Sequence, residues 1–359
     1  MEAANNLGNR EQQEIEINVL SEDKGNVITF SNTLQVNLVR ACVQQCNYCS
    51  FRRKELVEVP YSTIKISKES RLTGVREVMY TANSRPDQHS EIRAKLDLWG
   101  FSSYLDYLYT VCELGFLEGL VPVINLGFLT PVELQQLSEV SALIRIAMDS
   151  SSDLIHEATL KWDPQRRFDR RLKNLEWSSK LGIATSVSYT ITKGITKGHQ
   201  KEMLEKIANM HSQYGLVHEV ILDNYLSPKH VKSVPFSQPS EDEMMSAFNL
   251  AKSILPSDIP IIVPAGKNNI ATFIKEGVRD LGQIIEYSNT EDSLYTPFNW
   301  DSVEKTAAEL GLVLQQRFPL RKQFIKEEKY SSKLGQVFDT YKYKIKKDIQ
   351  EKAKESKAV

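Results

Sequence analysis

Residues 27–49 read Val-Ile-Thr-Phe-Ser-Asn-Thr-Leu-Gln-Val-Asn-Leu-Val-Arg-Ala-Cys-Val-Gln-Gln-Cys-Asn-Tyr-Cys. The first part, from Val27 to Leu38, carries many β-branched residues and predicts a strand. This strand runs directly into a loop with Cys42, Cys46 and Cys49, which are three of the chain's four cysteines. In a (β/α) barrel the loops at the carboxyl ends of the strands build the active site. The stretch therefore predicts a first barrel strand that ends at a site of chemistry.

The rest of the chain repeats one rhythm, an apolar run rich in β-branched residues followed by an amphipathic stretch. The predicted further strands are Glu77 to Thr81, Leu120 to Ile124, Ala142 to Met148, Ala184 to Thr190, Val217 to Leu222, Ile259 to Val263 and Gln283 to Glu286. The predicted helices are Tyr104 to Leu114, Pro131 to Glu139, Arg166 to Lys180, Lys201 to Tyr214, Glu241 to Ile254, Ile270 to Glu276 and Trp300 to Leu310, with an extended piece from Leu312 to Phe318. Such alternation favours parallel strands with crossover helices. We expect an α/β fold, a TIM-like (β/α) barrel in a single domain over residues 26–325, between a flexible N-terminal arm at 1–25 and a lysine-rich C-terminal tail at 326–359.

Composition narrows the class of protein. The chain has 359 residues, a net charge of -1 and 25% charged residues. This charge argues against a nucleic-acid-binding surface, and no run approaches eighteen apolar residues, so we expect neither a nucleic-acid nor a membrane partner. The few cysteines fit a reducing compartment, and we expect a cytoplasmic protein. Cys112 sits at helical spacing among apolar residues and is expected in the core.

The spacing of the other three cysteines is C-x3-C-x2-C. A structural zinc site requires four ligands, and a cubane iron-sulfur cluster is normally bound by four cysteine thiolates. Three thiolates on a cube leave one iron without a protein ligand. S-adenosylmethionine can fill that position through its amino and carboxylate groups. A zinc loop completed by a distant His and a redox dithiol stay open as alternatives, although the six histidines are scattered singly.

The cysteine loop, with the aromatic Tyr48 before its last cysteine, resembles the signature of radical S-adenosylmethionine enzymes. The span from about Asn26 to Ile325 is similar to the CofG subunit of FO synthase, the deazaflavin-forming branch of these enzymes. The matching segments include Cys-Ser-Phe-Arg at 49–52, Glu-Val-Met-Tyr-Thr at 77–81, Gly-Phe-Ser-Ser-Tyr-Leu-Asp-Tyr-Leu-Tyr at 100–109, Gly-Leu-Val-Pro-Val-Ile-Asn-Leu-Gly at 119–127, His-Glu-Val-Ile at 218–221 and Arg-Asp-Leu-Gly at 279–282. The resemblance implies a [4Fe-4S] cluster on Cys42, Cys46 and Cys49, with S-adenosyl-L-methionine as the second cofactor.

The resemblance also implies an activity and partners. In this family the companion subunit, CofH, joins a tyrosine-derived hydroxybenzyl group to a ribitylaminouracil. The CofG type then abstracts hydrogen from that small-molecule adduct, closes the central ring and releases ammonia, which makes it a lyase. The product is 7,8-didemethyl-8-hydroxy-5-deazariboflavin. A CofH-type companion and a reductant protein are therefore the expected partners.

Further site residues follow from the resemblance. Tyr48 would lie along the adenine of the cofactor. Asn83-Ser84 stands where the family usually has Gly-Glu, whose backbone turn receives the methionine amino group. Asn125 and Asp149, at the ends of predicted strands three and four, could bind the ribose or amino group, and Arg171 could pair with the carboxylate.

Two further features concern the altered turns and the substrate. Residues Thr190 to Gly194 replace the glycine-rich turn that the family shows after strand five. Tyr80, Asn224 and Asp280 lie near predicted strand ends, where catalytic residues of barrels collect, and are the substrate-side candidates.

Two other readings stay open at this stage. A different radical reaction on the same barrel, of the aminofutalosine or thiazole-precursor type, would share the cysteine loop. A non-catalytic iron-sulfur barrel would keep the cluster without using S-adenosylmethionine.

Overall fold

The structure is a computed structural model that describes residues 26–40, 60–71, 74–83, 85–148, 168–193, 195–226, 237–288 and 298–339. Within these ranges the strands are β1 (Val27–Val39), β2 (Glu77–Ala82), β3 (Val121–Asn125), β4 (Leu143–Met148), β5 (Thr185–Ile191), β6 (Val217–Asn224), β7 (Ile261–Ile262), β8 (Asp280–Ser288) and β9 (Val313–Gln316). The described helices are α1 (Pro60–Arg71), α2 (Ser90–Leu98), α3 (Tyr104–Leu117), α4 (Pro131–Ser138), α5 (Phe168–Lys180), α6 (Lys197–Tyr214), α7 (Glu241–Ile254), α8 (Ile270–Lys275), α9 (Trp300–Glu309), α10 (Lys322–Lys326) and α11 (332–339).

The strands form one parallel sheet in the order β7-β6-β5-β4-β3-β2-β1-β8, with β9 added beside the start of β1. The ring closes where β7 meets β8. Gly282 faces Ile262 there so closely that a Cβ at position 282 would lie 2.6 Å from Ile262 Cγ2, and Gly282 has a φ of +68°. Glycine is the residue that accepts both conditions. The predicted TIM-like barrel with parallel strands is confirmed.

Alternation along the strands separates an apolar outer face from a polar inner face. On β1 the residues Leu34, Val36 and Leu38 pack with α2 and α3, whereas Gln35 and Asn37 fall on the opposite, inner face. The outer faces of β5 and β6 pack in the same way against α6 and α7. The main apolar layers therefore lie between the sheet and the helices, while polar side chains line much of the lumen.

Helix α1 was not predicted from the sequence, and its packing explains why. Its buried positions are Thr63, Ser67 and Ser70, which are small and polar. A helix that buries hydroxyl-bearing residues gives no apolar periodicity to detect. The short helix α2 was also not predicted: it buries only Ile92 and Leu96, and a single apolar pair is too short a pattern to indicate a helix.

The amino end of the barrel is closed by the segment after β9. Phe318, Leu320, Phe324, Leu334 and Phe338 are buried there. They pack against inward-facing residues of the strands, namely Met79, Val121, Val123 and Leu143. Residues 326–338, which the sequence analysis assigned to the tail, thus belong to the packed body.

None of the helices in the described ranges combines the length and the apolar character needed to cross a bilayer.

Candidate active site

The carboxyl end of β1 leads to the cysteine loop. The strand ends at Val39 and Arg40 follows it. Cys42, Cys46, Tyr48 and Cys49 lie outside the described residues, as do Ser84, Gly194 and, after β4, Asp149. The described part of the site consists of the carboxyl ends of the strands and the loops that follow them.

Asn83 fixes the point at which β1 enters the cysteine loop. Its side-chain Nδ2 donates to the carbonyl of Arg40 at 2.7 Å, and its backbone N–H donates to Val39 at 3.3 Å. Asn83 is only 8% exposed, so these bonds are shielded from water. Asn83 thus lies at the predicted place, and its side chain positions the chain that carries the cysteines.

Two buried polar atoms lie on the inner faces of β1 and β2, toward the carboxyl ends of these strands. Gln35 Oε1 and Thr81 Oγ1 have no hydrogen-bond partner within the described ranges, although Gln35 Nε2 donates to Asn37 Oδ1 at 3.0 Å. Buried polar atoms normally have partners, so orphaned ones mark a place where a ligand can bind. The described residues contain no cluster of His, Cys, Asp and Glu able to hold a metal. The donors that fit an iron-sulfur cluster in this chain are the three closely spaced cysteines, which follow directly on β1.

Asn125 ends β3, as predicted, and belongs to an accessible inner wall. The wall continues with Arg145 and Ala147 on β4 and with Ser188 and Thr190 on β5, all partly exposed. The register pairs Asn125 with Arg145 and Ala147 with Ser188, so these side chains share the inner face. This wall is where a ligand in the lumen would contact the protein.

The end of β6 carries an ion pair that sequence analysis missed. Lys267 Nζ lies 2.8 Å from Asp223 Oδ1, and Asp223 pairs in register with Thr190 of the inner wall. Asn224 is at the strand end as predicted, but it is buried, and its Nδ2 donates to the carbonyl of Lys267 at 3.1 Å. Asp223 is therefore the inward-facing residue, and Asn224 holds the loop that supplies Lys267.

Helix α5 ties the loop after β3 in place. Asn174 Oδ1 accepts from the backbone N–H of Leu129 at 3.1 Å, and Asn174 Nδ2 donates to the carbonyl of the same residue at 2.5 Å. Arg171, one turn earlier, is 3% exposed. Arg171 is thus a buried cation rather than a solvated helix charge.

The position predicted for Tyr80 is wrong. Its hydroxyl donates to the carbonyl of Val111 in α3 at 3.2 Å, and its ring belongs to the apolar layer between sheet and helices. Tyr80 is the fourth residue of β2 and follows the inward-facing Met79. One step along a strand reverses the face, so Tyr80 points away from the lumen.

Asp280 is also misplaced by the sequence analysis. It is the first residue of β8 and lies at the amino end of the barrel, opposite the cysteine loop. Its Oδ2 accepts from Arg317 Nε at 2.8 Å, and its Oδ1 accepts from the backbone of Gly282 at 2.8 Å. Asp280 precedes the predicted strand, which began at Gln283, and begins the observed one, so in both cases it belongs to the amino end of β8 and not to the mouth.

A polar layer crosses the lumen below the inner wall. Glu77 on β2 accepts from Ser31 on β1 at 2.6 Å and from Gln283 on β8. Gln283 in turn accepts from Arg145 on β4. Burial raises the pKa of Glu77 to about 7, and the hydrogen bond from Ser31 with the charge of Arg317 offsets this only in part. We call these four side chains, Ser31, Glu77, Arg145 and Gln283, the floor layer.

A second buried carboxylate lies beside the floor layer. Glu219 on β6 accepts from Ser186 at 2.8 Å and from Arg317 at 3.0 Å. Burial alone would raise the pKa of Glu219, but His218 Nδ1, 3.5 Å from its carboxylate, and the charges of Arg317 and Arg145 hold the pKa below its usual range. His218 accepts from the backbone N–H of Arg321, and burial lowers its pKa to about 4. Glu219 is thus ionised and His218 neutral at pH 7.

The functional side chains that sequence analysis missed share one signal. Arg145, Asp223 and the wall hydroxyls are the polar members of alternating strands whose other members are apolar. Reading β4 as Leu-Ile-Arg-Ile-Ala-Met with period two would have marked Arg145 as inward-facing.

Comparison with known proteins places this chain in a family. No protein-family model matches it. A 7,8-didemethyl-8-hydroxy-5-deazariboflavin synthase from Methanosarcina acetivorans is 30% identical over 310 residues, which cover 85% of this chain and 93% of the relative. The synthase of the same name from Methanocaldococcus jannaschii is 30% identical over 319 residues, covering 87% and 88% of the two chains.

Solved structures support the fold. The FeFe-hydrogenase maturase HydG from Carboxydothermus hydrogenoformans superimposes with a TM-score of 0.62 at 15% identity, over 81% of this chain and 68% of that one. Methylornithine synthase PylB gives a TM-score of 0.58 at 12% identity, over 85% and 87%. The first comparison identifies the relatives and the second the architecture, and the chain belongs to the 7,8-didemethyl-8-hydroxy-5-deazariboflavin synthase family.

Proposed function

We propose that this protein forms 7,8-didemethyl-8-hydroxy-5-deazariboflavin as the CofG-type half of FO synthase. Its substrate would be 5-amino-5-(4-hydroxybenzyl)-6-(D-ribitylimino)-5,6-dihydrouracil. Hydrogen abstraction from this adduct, closure of the central ring and release of ammonia give the deazaflavin. The observation that carries the proposal is the match to a synthase of this name over 310 residues, which cover 85% of this chain and 93% of the relative.

Cys42, Cys46 and Cys49 would hold a [4Fe-4S] cluster, and S-adenosyl-L-methionine would bind beside it. When bound, this pair supplies the radical that abstracts hydrogen from the substrate. The thiolate donor set and the orphaned polar atoms of Gln35 and Thr81, toward the carboxyl ends of β1 and β2, fit such an occupant. Tyr48, Asn125, Asp149 and Arg171 are the proposed contacts to S-adenosyl-L-methionine.

The described residues contribute position and shielding. Asn83 fixes the entry to the cysteine loop, and Asn174 fixes the loop after β3. The floor layer ends the lumen below, so the substrate is confined between a rigid polar base and the cysteine loop. Such confinement keeps water and stray hydrogen donors from a reactive radical.

The proposal includes partners and place. A CofH-type companion would supply the adduct, and a reductant protein would supply the electron. We propose that this protein and both partners are cytoplasmic.

Product analysis tests this function. Anaerobically reconstituted protein is incubated with the companion subunit, tyrosine, a ribitylaminouracil, S-adenosylmethionine and a reductant. A fluorescent deazaflavin is expected, and Cys46→Ala should abolish it. Cys112→Ala is the matched control, because Cys112 is buried in α3 within the apolar layer and should be dispensable for product formation. Turnover of S-adenosylmethionine without the fluorophore would contradict the proposal and favour a reaction of the aminofutalosine or thiazole-precursor type. Neither turnover nor fluorophore from cluster-loaded protein would favour a non-catalytic iron-sulfur barrel.

A further inference from the structure

The inward-facing side chains of β3 to β5 are partly exposed, whereas the outward-facing ones are buried. On β5 the outward Val187, Tyr189 and Ile191 are buried in the apolar layer, whereas the inward Ser188 and Thr190 are partly exposed. The same alternation holds on β4. In a barrel filled by its own side chains the inner residues would be the buried ones. This part of the lumen is therefore a chamber rather than a packed core.

The depth of the chamber is set by the floor layer. In the ring order β4 and β8 are four strands apart, so they face each other across the lumen. Arg145 reaches from β4 to Gln283 on β8, and Gln283 reaches on to Glu77. A guanidinium carries five N–H donors. Arg145 is partly exposed, so the N–H groups of its guanidinium that do not bind Gln283 can serve a ligand with carbonyl oxygens.

The charges of the chamber compensate one another. At the rim Lys267 is paired with Asp223 at 2.8 Å. At the floor Glu219 is paired with Arg317 at 3.0 Å, and the charge of Arg145 also favours its anionic form. The wall between floor and rim contains the apolar Ala147 and Ile221 and three polar side chains, Asn125, Ser188 and Thr190. None of the hydrogen bonds between described residues uses these three side chains, so their amide and hydroxyl groups can serve a ligand.

A lumen with paired charges and a wall of amides and hydroxyls suits a neutral ligand that is rich in carbonyl and hydroxyl groups. It suits an amino-acid carboxylate poorly, because a carboxylate would have to displace an anion already in place. We propose that the lumen between the Asp223–Lys267 pair and the floor layer binds the ribityl-uracil half of the substrate. The ribityl hydroxyls contact Ser188 and Thr190, and the uracil carbonyls accept from Arg145. This assignment rests on the proposed function and adds to it which residues recognise which part of the substrate.

Equilibrium binding tests the assignment without turnover. Isothermal titration of 5-amino-6-(D-ribitylamino)uracil is carried out on cluster-loaded protein with S-adenosylmethionine present. Ser188→Ala and Thr190→Val should each weaken binding about two- to tenfold, the range for one lost hydrogen bond. Tyr189→Phe is the matched control, because it removes a hydroxyl from the same strand on the helix-facing side and should leave binding unchanged.

Two further titrations test the role of Arg145 in the floor layer and the preference for a ribitylaminouracil over an amino acid. Arg145→Lys keeps the positive charge near Glu77 but loses the planar fork, and it should weaken binding about tenfold while circular dichroism shows the barrel intact. L-Tyrosine should bind at least tenfold more weakly than the ribitylaminouracil. Tighter binding of tyrosine, or equal losses in Ser188→Ala and Tyr189→Phe, would overturn the assignment.

The two proposals fail in different ways. If wild-type protein makes the fluorescent deazaflavin while the wall variants bind the ribitylaminouracil normally, the chamber assignment is wrong and the function stands. If the ribitylaminouracil binds as described but no deazaflavin forms, the lumen assignment stands and the reaction is wrong.

Discussion

Three asparagines at the carboxyl end of the barrel make the same kind of hydrogen bond to a neighbouring segment. Asn83, Asn174 and Asn224 each donate from Nδ2 to a backbone carbonyl of a neighbouring segment, at Arg40, Leu129 and Lys267 respectively. All three are buried. A side-chain amide offers both a donor and an acceptor, so it can satisfy irregular backbone where no strand does. The rim of the site is thus fixed residue by residue rather than by regular structure.

Asn83 and Asn224 form a matched pair for testing this role. Asn83→Ala removes the bond to Arg40, so we expect the cysteine loop to lose its fixed entry and reconstituted protein to retain less iron after desalting. Asn224→Ala removes the equivalent bond on the far side of the barrel and should keep wild-type iron. Both should lose about 1–2 kcal/mol of unfolding free energy. Equal iron in the two variants, at equal stability loss, would contradict the positioning role of Asn83.

Residues at the ends of strands could be predicted from the sequence, but the face of the sheet on which a side chain lies was predicted poorly. Asn83, Asn125 and Asn224 follow apolar runs, and their places at the carboxyl ends were predictable. The prediction for Tyr80 was wrong because a difference of one position along a strand moves a side chain to the opposite face of the sheet. The prediction for Asp280 was wrong because this residue begins its strand, and in a parallel barrel the residues that begin the strands lie at the end opposite the mouth. The position of Cys112 in the core was confirmed, since helical spacing among apolar residues carries that information.

At the scale of elements, apolar runs predicted the strands and the longer helices that bury apolar residues. They did not predict the elements that lack such runs. The bounds of α7 and the start of α4 were predicted to the residue, because Ser240 and Thr130 begin these helices with capping boxes. Helix α1 escaped detection because it buries hydroxyls. The closure of the barrel by 318–338 also escaped, since the aromatic residues in that segment are spaced among many lysines.

The packing of α3 on β2 offers a test between two elements. A Cβ on Gly115 would lie 2.8 Å from Tyr80 Oη. Gly115→Ala should therefore destabilise the protein by about 1–3 kcal/mol, because the crowded hydroxyl faces a packed layer. In a Tyr80→Phe background the obstruction is gone, and the same change should be neutral or stabilise by up to about 1 kcal/mol, the helix preference of alanine over glycine.

Urea denaturation of the two single variants and the double variant measures this coupling. Tyr80→Phe alone should cost about 1 kcal/mol for the bond to Val111. It should also keep wild-type iron content and deazaflavin formation, since Tyr80 faces α3. Additive effects, or a loss of product with Tyr80→Phe at unchanged stability, would refute this account of Tyr80.

For the whole molecule, the C-terminal segment is part of the barrel. Phe338 is 1% exposed and packs edge-on against Phe318 and Tyr330, with ring centroids 4.8 Å and 4.7 Å away. Phe338→Ala should cost about 3–5 kcal/mol. Lys333→Ala, in the same helix, removes a half-exposed ion pair with Glu113 and should cost less than about 1 kcal/mol. Denaturant midpoints compare the two, and similar small losses would mean that the segment does not close the barrel.

The buried charges of the lumen give the molecule a characteristic pH response. Glu77, with a pKa raised to about 7, keeps its proton in the fold where the unfolded chain, near 4.5, has lost it. Its contribution to stability is therefore complete below pH 4.5 and is lost as the pH rises through 7. His218, with a pKa lowered to about 4, lacks a proton that the unfolded chain holds up to about 6.5. Its contribution has the opposite sign, and between pH 4.5 and 6.5 the two nearly cancel.

Glu77→Gln removes one side of this balance. Its amide can still accept from Gln283 and can donate to Ser31 Oγ, so the floor layer keeps its hydrogen bonds. Relative to wild type, its unfolding free energy should rise by about 3 kcal/mol between pH 4.5 and 7, because the cost of ionising a buried carboxyl is gone. Glu219→Gln should behave oppositely and lose stability relative to wild type as the pH rises through the acid range, since ionised Glu219 is held by Arg317. Thermal melts from pH 4 to 8 measure both differences, and a pH-independent difference for Glu77→Gln would show that Glu77 is ionised throughout.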